Sequence, residues 1–110
     1  MLMAIIEFEM NAGTQEEFGS VIAGLSTQIK TIDGYISSDP ATSINHDGLM
    51  YEISYWRDAD ALAAWAADPL HKDAMKAGND RLLKWYRIRV GEVNRDWSMG
   101  DIPSGSPAAA

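Results

Sequence analysis

The first ten residues alternate between two faces, in the manner of a β-strand with one side in a hydrophobic core. One face carries apolar residues at every second position from Leu2 to Met10, and the other face includes Glu7 and Glu9. Successive side chains of a strand point to opposite faces of a sheet, so this pattern predicts a first strand over residues 2–10.

The next segment carries apolar residues at helical spacing. Thr14 and Glu17 have the form of a capping box, in which the hydroxyl and the carboxylate satisfy backbone N–H groups of the first turn. The apolar positions that follow are Phe18, Val21, Ile22, Leu25 and Ile29. Asp33 and Gly34 then end this first predicted helix.

Two strands joined by a tight turn are predicted in the middle of the chain. Residues 35–44 form a polar strand that Asp39 and Pro40 interrupt, and residues 49–56 form a more apolar strand. The turn between them is Asn45–Gly48, because Asn and Asp-Gly accept the positive φ that hairpin turns need.

The second helical region is predicted in two pieces. Asp58 caps a helix that runs to about residue 67, and Asp68 caps the next piece, with Pro69 at its first helical position. That piece reaches about residue 84, where a last strand over 85–94 begins. In this strand apolar residues alternate with Arg87 and Arg89.

The predicted order βαββαβ indicates an α+β fold of the ferredoxin-like type. Right-handed crossovers then give a four-stranded antiparallel sheet with both helices on one face. The first and last strands are neighbours in this arrangement, so Glu7 and Glu9 are expected to pair with Arg87 and Arg89. Those arginines are alternatively free to hold an acidic ligand.

The predicted domain spans residues 1–97 and leaves one face of its sheet without a cover. Residues 98–110 are mostly Gly, Ser, Pro and Ala, which bury too little apolar surface to fold, so we interpret them as a flexible tail. A chain of 110 residues buries only about 60 to 70% of its unfolded surface, so a partner subunit would help to stabilise it.

Charge and composition exclude several classes of function. The formal net charge is −7, and the 9 Lys and Arg form no cluster, which disfavours nucleic acid and anionic lipid as partners. The absence of Cys excludes thiolate metal sites and a Cys nucleophile. The N-terminal apolar run has no basic residues before it and contains two glutamates, so we expect neither a signal peptide nor a membrane span, but a cytoplasmic protein.

The densest chemical signal is the segment from Trp65 to His71 at the helix break. Steps of three and four residues from His71 reach a mostly apolar face, which predicts a half-buried imidazole that accepts a proton near neutral pH. That face comprises Ala74, Met75, Gly78 and Leu82. The alternative is a histidine that only packs or caps.

Aromatic residues have the same two interpretations. Trp65 either plugs the domain or forms the wall of a pocket for a planar ligand. Tyr51 and Tyr55 share one face of the third strand, where they either fill the core or line the space beneath the helices. His46 lies in a turn, and no further ligands accompany it, so no metal site is expected. Phosphate loops, zinc motifs and serine hydrolase motifs are also absent from the sequence.

Several of these segments resemble the antibiotic-biosynthesis monooxygenase family. They are Tyr-Glu-Ile-Ser-Tyr-Trp at 51–56, the Ala-rich helix with Trp65, Asp-Pro-Leu-His at 68–71, and Trp-Tyr-Arg-Ile-Arg-Val at 85–90. The first strand and helix agree with the family in layout, so the resemblance spans about residues 1–97. It implies a homodimer in which two sheets form a dimeric α+β barrel, with a pocket in each subunit between sheet and helices.

The resemblance also implies an activity. Similar proteins include oxygenases that oxidise anthrone-like polyketides without metal or flavin, because the deprotonated substrate reduces oxygen itself. The hypothesis is therefore a cofactor-independent monooxygenase that takes molecular oxygen and an aromatic or quinol-type molecule. Its catalytic residues would be His71 and Trp65, and its substrate-binding residues Phe8, Tyr51, Tyr55 and Met75.

Two alternatives come with the same resemblance. One is a non-catalytic ligand-binding or stress-related module of the same fold. The other is haem binding or degradation, for which similar proteins use a strand Asn, a helix Trp and a His about ten residues beyond that Trp. Trp65 matches, but the tenth position beyond it is Met75, and the first strand carries Ile6 and Phe8 where Asn is needed. The sequence therefore disfavours haem.

Overall fold

A computed structural model describes residues 1–103. In chain order its elements are β1 (Leu2–Met10), α1 (Gln15–Gln28), β2 (Tyr35–Thr42), β3 (Met50–Trp56), α2 (Ala59–Ala67), α3 (Pro69–Ala77) and β4 (Leu83–Glu92). A 3-10 turn at Ile29–Thr31 follows α1, and a π-helical turn at Gly78–Leu82 joins α3 to β4. The predicted ferredoxin-like order βαββαβ, with its second helix in two pieces, is confirmed.

The four strands form one antiparallel sheet in the order β2-β3-β1-β4. β1 therefore lies beside β4, as predicted, and Glu7 pairs in register with Arg87. A carboxylate oxygen of Glu7 accepts hydrogen bonds from Arg87 at 2.8 Å and from Arg89 at 3.2 Å. The prediction for Glu9 is wrong, because Glu9 accepts a hydrogen bond from the Trp85 indole N–H at 2.5 Å instead.

The sheet has one face toward the helices, called the inner face here, and one without a cover in residues 1–103, called the open face. Residues paired across antiparallel strands share a face. The core on the inner face is a cluster of Ala4, Ile29, Trp56, Ala61 and Trp65. Trp56 is fully buried, so it fixes which side of β3 faces inward.

The predicted capping box at the start of α1 is wrong. Thr14 holds the N-cap position, but its hydroxyl donates to the backbone carbonyls of Asn11 at 2.7 Å and Leu82 at 3.2 Å rather than capping the helix. Glu17 forms an ion pair with Arg81. Both side chains thus tie the beginning of α1 to the end of the π-helical turn, a long-range contact that local spacing does not predict.

β2 is continuous through Pro40, where the sequence predicted an interruption. Proline donates no hydrogen bond, but β2 is an edge strand, and a proline there removes no ladder bond from a second neighbour. Within the described part of the chain, residues 93–103 form neither helix nor strand. The predicted tail lies outside the described residues from position 104 onward. No helix in residues 1–103 is long and apolar enough to cross a membrane.

Candidate functional site

The break between α2 and α3 positions His71. Asp68 is the N-cap of α3, and its carboxylate accepts a hydrogen bond from the His71 backbone N–H at 3.1 Å. The other carboxylate oxygen accepts from the Gln28 side chain at 2.8 Å, which links α3 to the end of α1. The hydrogen bond from Gln28, with smaller contributions from backbone N–H groups, lowers the pKa of Asp68. Asp68 is therefore a charged cap held from two sides.

The His71 ring is oriented by one hydrogen bond and one stacking contact. Its Nδ1 lies 2.9 Å from the backbone carbonyl oxygen of Trp65. A carbonyl only accepts, so Nδ1 carries the proton and Nε2 keeps its lone pair. The imidazole also stacks on the Trp65 ring, with centroids 4.3 Å apart and planes 14° apart. The ring is thus fixed in a single tautomer.

The surroundings of His71 favour its neutral form. Burial lowers its pKa, while the hydrogen bond with the Trp65 carbonyl and the charge of Asp68 oppose this shift. The net direction is downward from 6.5, so the imidazole is mainly neutral at pH 7. Within residues 1–103, Nε2 makes no hydrogen bond. An imidazole in this state is able to accept a proton at Nε2.

Trp65 lies in the core rather than in the wall of a pocket. Its exposed fraction is 7%, and it stacks on Trp56 with ring centroids 6.4 Å apart, in addition to its contact with His71. Little of the indole is left for a ligand to touch. The expectation that Trp65 forms the wall of a pocket is therefore corrected. The indole packs against the buried Trp56 and belongs to the core.

Tyr51 and Tyr55 lie on the open face, so the expectation that they line the space beneath the helices is wrong. Tyr51 pairs with Glu7, and Tyr55 with Met3, whereas the inner positions of the same strand belong to Ser54 and the buried Trp56. Strand geometry then directs both phenols away from His71. A role of Tyr51 and Tyr55 in substrate binding stays a prediction, and it would concern the open face.

Phe8 and Met75 lie on the same side of the sheet as His71. Phe8 is buried at 7% exposure and packs against Phe18, with ring centroids 5.3 Å apart. Met75 is one helical turn beyond His71 and is 38% exposed, which leaves its thioether accessible. Of the predicted substrate-binding residues, Met75 is thus the one that is accessible and also lies on the same side of the sheet as His71.

The helices leave part of the inner face uncovered. Glu52, Ile6 and Ile88 form one row across three strands, called the middle row here. Ile6 is only partly buried, although Ala4 and Phe8 on either side of it along β1 are buried at 4% and 7% exposure. Ile88 is 46% exposed. The partly exposed surface along this row is called the inner cleft.

The inner cleft lies next to the histidine stack. Trp65 and Ala4 belong to the same core cluster, and Ala4 is one inward position from Ile6, about 7 Å along the strand. Tyr86, which pairs with Phe8, extends the uncovered surface along β4 and is 40% exposed. The cleft therefore has an apolar floor, with a phenol at one end.

The sequence analysis did not identify Tyr86 as a residue of the site, and it missed Glu52 as an inner-face residue. Tyr86 is in phase with Ile88 and Val90, the apolar positions of the last strand, and this alternation was a usable signal. Glu52 is in phase with Ser54 and Trp56, whereas the other phase of β3 is aromatic and apolar. That second pattern concealed the inward direction of Glu52.

The open face carries two shallow clefts of about 450 Å³ each. Glu9, His46 and Trp85 line part of the first, and Met3 and Tyr55 line part of the second. In residues 1–103, no three His, Asp or Glu side chains lie close enough together to hold a metal ion. Both clefts are open to solvent and distant in the fold from His71, on the other side of the sheet.

The chain matches the family model described as antibiotic biosynthesis monooxygenase over residues 1–77. A curated relative, named jasmonate monooxygenase, from Pyricularia oryzae is 28% identical over 93 residues. This alignment covers 84% of the chain but only 43% of that relative, so the chain spans less than half of the relative's length.

Solved structures named for the same family share the fold. A protein from Deinococcus radiodurans superposes with a TM-score of 0.79 at 13% identity and covers 92% of this chain and 100% of its own. A protein from Caulobacter crescentus gives a TM-score of 0.75 at 16% identity, covering 86% of this chain and 90% of its own. At these identities the likeness concerns the fold.

The buried stack makes Trp65 a stability residue. Trp65→Ala is expected to lower the free energy of unfolding by ~3 to 5 kcal/mol, because it removes a large buried ring and leaves a cavity. Trp65→Phe should cost clearly less, since it keeps an aromatic ring in the stack. Urea denaturation monitored by circular dichroism measures both, and equal stability of Trp65→Ala and the wild type would contradict the observed packing.

Proposed function

Since the chain belongs to the antibiotic biosynthesis monooxygenase family, we propose that it is a cofactor-independent monooxygenase acting on an aromatic or quinol-type molecule. The substrate binds in the inner cleft, between the middle row and the helices. The observation that supports this most directly is the His71 ring, whose Nδ1–H is engaged by the Trp65 carbonyl at 2.9 Å and whose Nε2 is left as a base.

The proposed reaction begins with proton transfer to His71. Nε2 takes a proton from an acidic C–H or O–H of the substrate, and the resulting anion transfers electrons to molecular oxygen. For an anthrone methylene group, one oxygen atom of O₂ becomes the new carbonyl oxygen. The other oxygen atom leaves as water with the two hydrogens of the methylene, so neither metal nor flavin is required by the balance.

Other residues near His71 have supporting roles in this proposal. Trp65 is a positioning residue, since it holds the imidazole by stacking and through its carbonyl. Met75 and Tyr86 are accessible and flank the apolar floor, where they contact a planar ligand. Ile6 and Ile88 supply the apolar floor itself.

A ligand-binding module without catalysis is the second candidate. The mainly apolar middle row favours it, because such a surface binds an aromatic molecule whether or not a proton is then transferred. This alternative predicts that an aromatic ligand quenches the tryptophan fluorescence of the protein while no product forms.

The proposal includes a homodimer formed through the open face. Within residues 1–103, no element covers that face, and its partly buried side chains include Met3, Ile5, Ile53 and Tyr55. Glu7 lies on the same face, next to Arg87 and Arg89, and its side chain is only 12% exposed. A second sheet laid on this surface would remove apolar area from water.

Oxygen uptake tests the catalytic proposal. With dithranol, a hydroxyanthrone, the wild type should consume oxygen above the uncatalysed rate, and His71→Ala should lower turnover by ~10² because it removes the general base. The matched control is His46→Ala, since His46 is exposed in a turn on the other side of the molecule. Equal rates for both variants would remove His71 from the mechanism. Jasmonate, from the name of the curated relative, is the second substrate to assay.

The pH profile of turnover should follow the His71 base. Its pKa is lowered by burial, so the neutral, active imidazole persists below pH 6.5 and is lost only as the pH falls through the lowered value. The acid limb of the kcat/KM profile should therefore have a midpoint below 6.5. A midpoint above 6.5 would contradict this assignment.

Light scattering tests the dimer. The wild type should have about twice the 12.1 kDa mass of the chain, whereas Ile53→Glu should be a monomer, because it buries a charge opposite Ile5 in the interface. Ile44→Glu is the control, since the Ile44 side chain is fully exposed. A monomeric wild type at micromolar concentration would refute the dimer.

A further inference from the structure

Glu52 is an acidic side chain on the inner face of a central strand. It pairs with Ile6 of β1 on one side and with Pro40 of β2 on the other, so it belongs to the middle row of the inner cleft. The row before it, Ser54 and Ala4, is buried beneath the core cluster, and Glu52 itself is half-buried. A carboxyl group is thus placed at the edge of an otherwise apolar floor.

A short chain of hydroxyl groups supports Glu52. Ser38 of β2 pairs with Ser54, the inner-face position next to Glu52 along β3, and the Ser38 hydroxyl lowers the pKa of the Glu52 carboxyl group. The Ser38 hydroxyl is also 2.8 Å from the Tyr35 hydroxyl, and the Tyr35 ring packs edge-on against Trp56. Glu52 therefore has polar neighbours on its β2 side.

Burial makes the neutral form of Glu52 more favourable than that of an exposed glutamate. Desolvation raises its pKa, the Ser38 hydroxyl lowers it, and the charge of Asp39 raises it. The net direction is upward from 4.5. In the protonated form the group has an O–H to donate, which a carboxylate lacks.

We infer that Glu52 is a specificity-determining residue that binds a carbonyl or phenolic oxygen of the substrate through its protonated carboxyl group. This inference rests on the proposed function, because it places the substrate in the inner cleft. His71 and Glu52 then engage one planar molecule at two points: the base at the reacting C–H or O–H, and the acid at an oxygen on the ring system. Purely apolar aromatic molecules gain nothing from the second contact and are discriminated against.

Other titratable groups on the inner side must be separated from Glu52 in any pH experiment. Asp39 acts on it through its charge from the open face of β2, where it pairs with Ile53. The neighbouring inner residues of β1 and α1, such as Ile6, Phe18 and Leu25, carry no charge. Titratable side chains on this side also include Tyr35 of β2, Tyr86 and Glu92 of β4, and Asp68 and His71 at α3. All of these stay in place in a Glu52 variant, so the difference from wild type isolates Glu52.

Anaerobic titration with dithranol, followed by tryptophan fluorescence from pH 5 to pH 8, tests the inference. Without oxygen the ligand binds but does not react. The wild-type Kd should rise by about tenfold as the pH rises, because ionisation of Glu52 removes the donor. Glu52→Gln should bind tightly and show none of this rise, since its amide donates at every pH, and Glu52→Leu should bind weakly throughout.

Ser38→Ala is the matched variant. If Glu52 had only a structural role, this substitution would leave the pH dependence of Kd unchanged. It removes the hydroxyl group that lowers the pKa of Glu52, so the rise in Kd should shift to higher pH. Near-ultraviolet circular dichroism confirms that each variant is folded.

The outcomes separate this inference from the proposed function. Identical pH profiles for the wild type and Glu52→Gln, or no binding of dithranol by the wild type, would overturn the role of Glu52. A Glu52-dependent profile without oxygen uptake would refute the monooxygenase while upholding the binding role. Uptake by a wild type whose binding ignores Glu52 would refute the binding role alone.

Discussion

The hydrogen bond from the His71 ring to the Trp65 carbonyl is the interaction on which the rest of the site depends, and the broken helix makes it possible. In a continuous α-helix the carbonyl of Trp65 would accept the N–H of the residue four positions later. That residue is Pro69, which has no N–H to give. The carbonyl accepts the backbone N–H of Asp68 at 3.1 Å and keeps room for the imidazole. The proline thus both begins α3 and frees the acceptor that sets the histidine tautomer.

The core makes this arrangement rigid. Trp65 stacks on Trp56, which is fully buried, and the His71 ring stacks on Trp65. The orientation of the imidazole is therefore transmitted from a side chain that also decides which face of β3 points inward. A change in Trp56 would therefore remove support from the Trp65 ring and, through it, from the His71 ring. Asp68 adds the second constraint, since its two carboxylate oxygens hold the first turn of α3 and the end of α1.

Periodicity was enough to predict the order of elements, because most helices and strands have a clear hydrophobic pattern or a clear boundary such as Asp68-Pro69. The prediction failed for β3, where both phases of the strand are rich in aromatic residues. Tyr51 and Tyr55 sit opposite Glu52 and Trp56, and only the pairing with β1 decides between the two sets. The open-face positions of β3 itself are Tyr51, Ile53 and Tyr55, so this strand has no solvent-facing polar row of its own to distinguish the two phases. Trp65 and His71 lie in one short segment, so the sequence drew attention to both. The burial of Trp65 depends on Trp56, which lies on a different element, and local spacing does not predict that contact.

Glu52 and His71 show how one environment acts in opposite directions on an acid and a base. Burial disfavours charge in both, so it raises the pKa of the carboxyl group from 4.5 and lowers that of the imidazole from 6.5. The two values move toward each other, so the pH range in which a carboxylate and an imidazolium are present together becomes narrower than for two exposed groups. Burial thus opposes the state in which the inner side of the sheet carries both charges at once. Each group approaches its neutral form from its own end of the pH scale, because Glu52 gains a proton more readily and His71 loses one more readily.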